Sequence, residues 1–171
     1  ILVGLVGSEM CIRDRYMGSL TSYLCFNHST RKPDYKGGEL LQESLDNVDV
    51  LIGHNIKFDI TWLRDCGFVY NNHLYDTMVA EYILSSSRRW SLGLQSVAER
   101  YGALKKKSLV DGYLKDGKTF YDIPYDIIEE YGIADVEATE QVALKQLEAF
   151  GTTFEELFGD EEIIADTAFV A

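Results

Sequence analysis

The alternation of apolar and polar residues in the first part of the chain predicts strands and helices in turn. Residues 21–26 are rich in aromatic and β-favouring side chains, and a turn-prone polar segment follows at 27–36. The glycine pair at 37–38 then opens a helix with an apolar stripe. Residues 48–53 form a short apolar run bounded by polar residues, which is typical of a strand buried on both faces of a parallel sheet.

Start and stop signals divide the middle of the chain into shorter elements. Helical spacing from about residue 56 to residue 66 ends at Gly67, a residue type favoured in the left-handed conformation that closes helices. A short strand is predicted at 73–76, and Asp76 is predicted to cap the helix that follows it. Strands that alternate with helices indicate an α/β architecture with a mixed or parallel sheet.

The last part of the chain is predicted to be mainly helical. Ser91 is expected to cap a helix that runs to Gly102, and the segment 103–122 is predicted to be a loop. Pro124 marks the first turn of a long final helix, in which apolar residues recur at helical spacing. One more helical turn is predicted at 155–158. Because no internal repeat or linker is visible, a single globular domain is expected.

Composition narrows the class of protein. A chain of 171 residues with 46% hydrophobic residues is long enough for one buried core. No apolar run approaches the roughly 20 residues that span a bilayer, so no membrane contact is expected. Three cysteines without a C-x-x-C pair fit a reducing compartment, and a cytoplasmic location is predicted. The formal net charge of −12 argues against a broad basic face for nucleic acid.

The two ends of the chain differ from its middle. Residues 1–16 lack the periodicity of the later segments and resemble translated sequencing-adapter read-through. We interpret them as a non-native leader, with a genuine N-terminal arm as the alternative. The expected division is therefore a leader at 1–16, a domain at 17–150 and an acidic C-terminal tail at 151–171.

A first group of candidate residues lies at 53–59, where the buried strand ends and the next helix begins. Ligands in α/β proteins bind at the carboxyl ends of strands. Asp59 falls in the first helical turn, beside an expected packed stripe of Phe58, Trp62 and Leu63. The alternative is an acidic residue that is simply favoured by the helix dipole.

A second group lies on the long final helix. Tyr131 and Asp135 are four residues apart, which places them on the same helix face one turn apart. Tyr131 belongs to the apolar stripe and Asp135 to its edge, so the carboxylate is expected to face a crevice. Taken alone this spacing is common, and a tyrosine in such a stripe is usually a core residue.

Taken in order, the two groups resemble the second and third motifs of the proofreading 3′-to-5′ exonuclease superfamily that is named for its four acidic residues. Residues 76–84 and 91–102 are similar to the connecting segments of its DNA polymerase family A and ribonuclease D branches, in particular of phage polymerases. The resemblance covers about 40–147. Glu130 stands where the histidine subgroup carries histidine, which favours the tyrosine subgroup.

The resemblance implies a ribonuclease H-like fold, with a mixed central sheet flanked by helices, and two divalent ions, Mg²⁺ or Mn²⁺. Such ions prefer clustered carboxylates and stabilise both the attacking and the leaving oxygen in phosphodiester hydrolysis. By position, Asp135 is implied to bind the ion that activates water and Asp59 the second ion. Tyr131 is implied to orient the water, and Asn55, with Phe58, to contact the 3′ end of the strand.

Three further observations leave alternatives open. Arg88, Arg89 and the lysine run that begins at Lys105 form the notable basic clusters. In one interpretation Arg89 and Lys105 bind substrate phosphates, and in the other these residues form a solvated loop. Asp76 is interpreted as a helix cap rather than a metal ligand, and His54 is interpreted as a packing residue.

The family's first motif, Asp-x-Glu on the first strand, has no counterpart upstream of residues 21–26. Before Tyr16 the acidic residues are Glu9 and Asp14, which have the wrong spacing. With two carboxylates missing, the first strand is expected to be missing or replaced, and the chain as given is expected to bind metal weakly and to cleave slowly or not at all. Truncation of a nuclease is one explanation. A domain that has lost catalysis and serves as a scaffold or strand-binding module is the other.

The expected partner is the single-stranded 3′ end of DNA, with a polymerase domain following in the full-length protein. A ribonuclease D-like enzyme that trims RNA is the alternative, because discrimination depends on contacts to the 2′ position that no residue of this sequence reveals.

Overall fold

Strands and helices alternate between residues 21 and 84, as the sequence pattern predicts, and the elements after residue 84 are helices. The computed structural model describes residues 2–3, 11–15, 21–25, 30, 35–86, 88–103 and 109–159. Its strands are β1 (Leu2–Val3), β2 (Cys11–Arg15), β3 (Thr21–Cys25), β4 (Val50–Gly53) and β5 (His73–Asp76). Its helices are α1 (Tyr35–Asp46), α2 (Ile56–Asp65), α3 (Thr77–Leu84), α4 (Leu94–Arg100), α5 (Val110–Lys115), α6 (Tyr125–Phe150) and α7 (Phe154–Phe158). Within these ranges no helix combines the length and the apolar character needed to cross a lipid bilayer.

The central strand is β4, which pairs in parallel with β1 on one side and β5 on the other. In this register Gly53 at the end of β4 lies opposite Asp76 at the end of β5. The strands β2 and β3 form a separate antiparallel pair. Parallel and antiparallel pairing therefore both occur among the described strands, which agrees with the α/β class predicted from the sequence.

Two of these strands come from residues 1–16, the segment interpreted as a leader. The backbone of β1 extends the sheet at β4, and the backbone of β2 pairs with β3 over five residues. Residues 1–16 lack the hydrophobic periodicity that would have predicted this pairing. Their interpretation as a non-native leader stays a prediction.

The side chains of β4 are buried on both faces of the sheet, as its uniform apolar character predicts. Leu51 belongs to a core cluster with residues of α1 and α2, namely Leu41, Leu45, Ile60 and Leu63. Val50 and Ile52 point the other way and join a cluster with Tyr75, Val136, Ala143 and Leu147. Helix α6 therefore covers one face of β4, and helices α1 and α2 cover the other.

The long helix α6 organises the second half of the chain. It begins directly after Pro124, whose fixed backbone suits a helix start, and ends at Gly151 in the left-handed conformation with φ 72°. Ala138 and Val142 on α6 pack against Val97 and Ala98 of α4. The predicted final turn is confirmed as α7, whose Phe154 packs edge-on against Tyr75 with ring centroids 5.3 Å apart.

Two sequence-based predictions in this half are wrong. The cap of α4 is Gly93 rather than Ser91, since Ser91 lies outside the helix and uses its carbonyl to accept a hydrogen bond from Arg100. The predicted loop 103–122 contains helix α5. Burial of Val110 with Ile123 and Ile128 stabilises this short helix through apolar contacts that its own sequence does not reveal.

Asp76 caps two helices at once. Its Oδ1 accepts a hydrogen bond from the backbone N–H of Met78 at 2.9 Å, which confirms the predicted cap of α3. The same carboxylate also accepts from the backbone N–H groups of Asn55, at 2.9 Å, and Ile56, at 3.1 Å. The side chain of Asn55, at the N-cap of α2, makes no capping bond, so Asp76 supplies the acceptor that α2 lacks.

We expect Asp76→Ala to destabilise the fold by about 2 kcal/mol, because one capping interaction contributes about 1 kcal/mol and this substitution removes two. Urea unfolding monitored by circular dichroism measures the difference. Thr153→Ala is the matched control, since Thr153 caps only the short helix α7. A loss for Asp76→Ala no larger than that of the control would show that the bond to α2 contributes nothing.

Candidate functional site

Asp59 lies in the first turn of α2, three residues beyond the helix start and close to the carboxyl end of β4. Its side chain is only 5% exposed. Burial raises the pKa of this carboxyl group from 3.8 to about 8; a hydrogen bond from its own backbone opposes the rise, and the negative charge of Asp76 adds to it. A buried carboxyl group with a raised pKa at the end of a parallel strand is typical of a functional site.

One residue of the packed stripe predicted beside Asp59 faces away from the core, while Trp62 and Leu63 pack as predicted. Phe58 is 52% exposed and does not join Leu63 in a packed stripe. The buried face of α2 is instead formed by Ile56, Asp59, Ile60 and Leu63. These residues follow helical spacing of three and four, so Asp59 shares its face with core residues and Phe58 points to solvent.

The turn that joins β4 to α2 is tight and leaves little freedom at its glycine. A Cβ atom added to Gly53 would lie 2.9 Å from Cγ1 of Ile56, closer than real side chains approach. Asn55 adopts the left-handed conformation with φ 62° and is exposed. Its backbone N–H is held by Asp76 at 2.9 Å. The tight contact at Gly53 and the hydrogen bond to Asp76 therefore fix the start of α2, and with it the position of Asp59.

His54 connects this turn to two neighbouring segments. Its Nδ1 lies 2.8 Å from Oγ1 of Thr77, at the start of α3. Its Nε2 lies 2.7 Å from the carbonyl oxygen of Leu92, ahead of α4. The sequence-based interpretation as a packing residue did not include these two bonds, which attach the segment 88–93 to the end of β4.

Tyr131 and Asp135 lie one turn apart on α6, as predicted. Asp135 is 7% exposed, and Thr139 donates a hydrogen bond from its hydroxyl to the Asp135 carbonyl at 2.8 Å. The ring of Tyr131 is half-buried and lies 6.4 Å from that of Phe120, beside the cluster formed by Val110, Ile123 and Ile128. Val136, next to Asp135, packs in the cluster of β4 residues.

Each of the two acidic residues is thus anchored to β4, Asp59 by the turn that follows the strand and Asp135 by its neighbour Val136. Their helices cover opposite faces of the strand. The convergence of Asp59, Tyr131 and Asp135 on one pocket stays a prediction.

The basic candidates, Arg89 and Lys105, lie between the two acidic groups along the chain. Arg89 is exposed in the segment between α3 and α4. Lys105 lies outside the described residues. The neighbouring residue Trp90, which no sequence-based prediction included, has two guanidinium groups beside its ring. The signal that could have identified it is the run of two arginines and one tryptophan at 88–90.

Asp59 and Asp135 have the chemistry to bind a divalent ion, but two carboxyl groups are only part of a ligand set. Hard cations such as Mg²⁺ bind carboxylate oxygens and keep several waters, and Asp59 and Asp135 are buried carboxyl groups of this kind. Within the described ranges, no group of three or more His, Cys, Asp or Glu side chains is placed to hold a metal ion. The described residues therefore offer an incomplete set of protein ligands.

We expect the stability of the protein to fall as pH rises from about 4 to about 8, because of Asp59. In this range the unfolded chain has lost the Asp59 proton while the folded chain retains it, so folding takes up a proton. The contribution is fully present below the unfolded pKa and is lost through the folded pKa, with a slope of at most about 1.4 kcal/mol per pH unit. Urea unfolding of Asp59→Asn at several pH values measures it.

The amide of Asp59→Asn cannot ionise, so the variant should gain stability relative to the parent as pH rises. Asp65→Asn is the matched control, because Asp65 is exposed on the same helix and should leave the pH dependence unchanged. Parallel stability curves for the parent and Asp59→Asn would contradict the raised pKa.

Comparison with known proteins identifies the family of the chain. No solved structure matches it. A family model described as 3′-5′ exonuclease matches residues 21–148, from the start of β3 to near the end of α6. The matched range includes both candidate groups and the basic segment between them. Since the match spans most of the 171 residues, the chain belongs to the 3′-5′ exonuclease family.

Proposed function

We propose that the chain is a proofreading 3′-to-5′ exonuclease domain that removes terminal nucleotides from single-stranded DNA with the help of two divalent ions, Mg²⁺ or Mn²⁺. The observation that carries the proposal is Asp59, a carboxyl group that is 5% exposed at the carboxyl end of a parallel strand within the matched family range. A buried acid has an unfavourable desolvation energy in the folded state, and a bound cation offsets it.

In this proposal the acidic side chains hold the ions and the neighbouring residues hold the strand. Asp59 and Asp135 are the metal ligands that this part of the chain provides. When bound, the ions stabilise the negative charge that develops on the attacking and leaving oxygens of the phosphodiester. Tyr131 orients the attacking water through its hydroxyl. Asn55 and Phe58 contact the 3′ nucleotide, and the exposed ring of Phe58 offers a face on which a base can stack.

Proton release accompanies metal binding at Asp59 in this mechanism. With a pKa of about 8, the carboxyl group is largely protonated at neutral pH in the absence of a cation. A metal ligand must be deprotonated, so Asp59 would give up this proton on holding a cation. Metal affinity is therefore expected to increase with pH up to about 8.

We further propose that the native protein supplies two more acidic ligands upstream of β3. Residues 1–20 contain only Glu9 and Asp14 as acids, and neither belongs to an Asp-x-Glu pair. The domain as given is therefore expected to have little activity. Recovery of the native gene would test this, as well as the phage-like origin and a polymerase domain downstream.

The test is digestion of a 5′-labelled single-stranded DNA oligonucleotide in Mn²⁺ by a variant in which an Asp-x-Glu strand precedes β3. We expect a ladder of products shortened from the 3′ end. Asp59→Ala and Asp135→Ala should each reduce the rate by about 100-fold or more, because each removes a ligand of an ion that contributes several kcal/mol to transition-state stabilisation. Gel electrophoresis of timed samples measures the rate.

Matched controls separate these roles from general effects of removing an acid. Asp65→Ala on α2 and Asp126→Ala on α6 remove exposed aspartates from the same two helices and should retain the parent rate. Equal digestion by all variants would refute the assigned roles. Faster digestion of an RNA oligonucleotide of the same sequence would support the ribonuclease D-like alternative instead.

A further inference from the structure

The segment between α3 and α4 presents an exposed tryptophan beside two arginines. Trp90 is 44% exposed. The guanidinium carbon of Arg88 lies 5.3 Å from the centroid of its ring, and that of Arg100 lies 5.4 Å from it. Both distances are in the range of cation–π interactions, which orient the ring and the guanidinium groups relative to each other.

Arg100 is held in place by a buried acid. Its Nε and Nη2 atoms donate to Oε1 of Glu81 at 3.1 and 3.0 Å, and Nη2 also donates to the carbonyl oxygen of Ser91 at 2.9 Å. Glu81 is 2% exposed and accepts a further hydrogen bond at Oε2 from Gln146 of α6, at 3.1 Å. The guanidinium group of Arg100 is thus a fixed support for Trp90, and its charge is offset by Glu81.

The charges of Arg88 and Arg89 are not offset in this way. Both side chains are exposed, and in the part of the chain that the structure describes neither forms an ion pair. The formal net charge of the whole chain is −12, so this positive group stands out against an acidic background. Such a local excess of arginine favours a polyanionic partner.

The position of the segment connects it to the candidate site. The carbonyl oxygen of Leu92 lies 2.7 Å from Nε2 of His54, in the turn that leads to Asp59. Trp90 is two residues before Leu92, so the Cα atoms of these two residues are at most about 7 Å apart. The tryptophan therefore lies close to the carboxyl end of β4.

We propose that Trp90, with Arg88 and Arg89, forms a binding site for single-stranded nucleic acid, in which one base stacks on the tryptophan and adjacent phosphates contact the two arginines. An exposed ring beside the guanidinium group of Arg88, which forms no ion pair among the described residues, fits this ligand, because each nucleotide offers a π-face and an anion together. An acidic peptide offers only the charge. The proposal rests on the proposed nuclease function only for the inference that the bound strand leads to Asp59.

Tryptophan fluorescence tests the site directly, because Trp62 and Trp90 are the two tryptophans of the chain. Trp62 packs against the cluster of α1 and α2 residues on one face of β4. Trp62→Phe leaves Trp90 as the only reporter, and Trp90→Phe leaves Trp62. Titration with a twelve-residue oligothymidylate in EDTA, where no cleavage occurs, should quench the emission of the first variant and leave that of the second nearly unchanged.

Binding measured with a fluorescently labelled oligothymidylate separates stacking from charge. Trp90→Ala should weaken binding about tenfold or more, as expected for the loss of one stacked base. An abasic oligonucleotide of the same length should bind the parent about as weakly as oligothymidylate binds Trp90→Ala. Arg88→Gln should lower the affinity for both oligonucleotides by a similar factor and reduce the salt dependence of binding.

Three outcomes would overturn the proposal: equal affinity of the parent and Trp90→Ala, no quenching in the Trp62→Phe variant, or equal quenching of Trp90 by polyglutamate. The result of the digestion assay does not depend on the result of the binding assay. If Trp90 binds the strand while Asp59→Ala does not alter digestion, the nuclease assignment fails and the binding site stands. If digestion depends on Asp59 and the affinity does not depend on Trp90, the reverse holds.

Discussion

The hydrogen bonds of one carboxylate, that of Asp76, hold together the part of the fold on which the rest depends. Its two oxygens accept three backbone N–H groups, one at the start of α3 and two at the start of α2. The N-terminus of a helix carries a partial positive charge and unpaired N–H groups, so a single acid between two such ends stabilises both. This arrangement fixes the left-handed backbone of Asn55 and the direction in which α2 leaves the sheet. It also places a negative charge near Asp59, whose pKa it raises in addition to the effect of burial.

Those parts of the fold that depend on local signals could be predicted from the sequence. The uniform apolar run of β4, the left-handed Gly67 and the cap at Asp76 each follow from a preference that acts within a few residues, and the structure confirms all three. Helix α5 and the start of α4 could not be predicted, because they depend on distant contacts. Burial of Val110 against α6 stabilises α5, and the bond between the Ser91 carbonyl and Arg100 keeps Ser91 outside its helix.

The candidate site shows the same division. Motif spacing identified Asp59, Tyr131 and Asp135, and the structure places these residues on the predicted helices with both carboxyl groups buried. The predicted direction of Phe58 was wrong, since the face that a helix buries is decided by the elements packed against it. The bonds of His54 join residues far apart in the chain, and no short pattern in a single sequence encodes them.

Helix α6 carries Asp135 near its middle and Gln146 near its end, eleven residues further on. At a rise of 1.5 Å per residue these positions are about 16 Å apart along a single rigid rod. Gln146 is bonded to Glu81, which in turn holds the support of Trp90. Because α6 carries both residues, a substitution that bends or shifts this helix between residues 135 and 146 would alter the candidate site and the residues that hold Trp90 together.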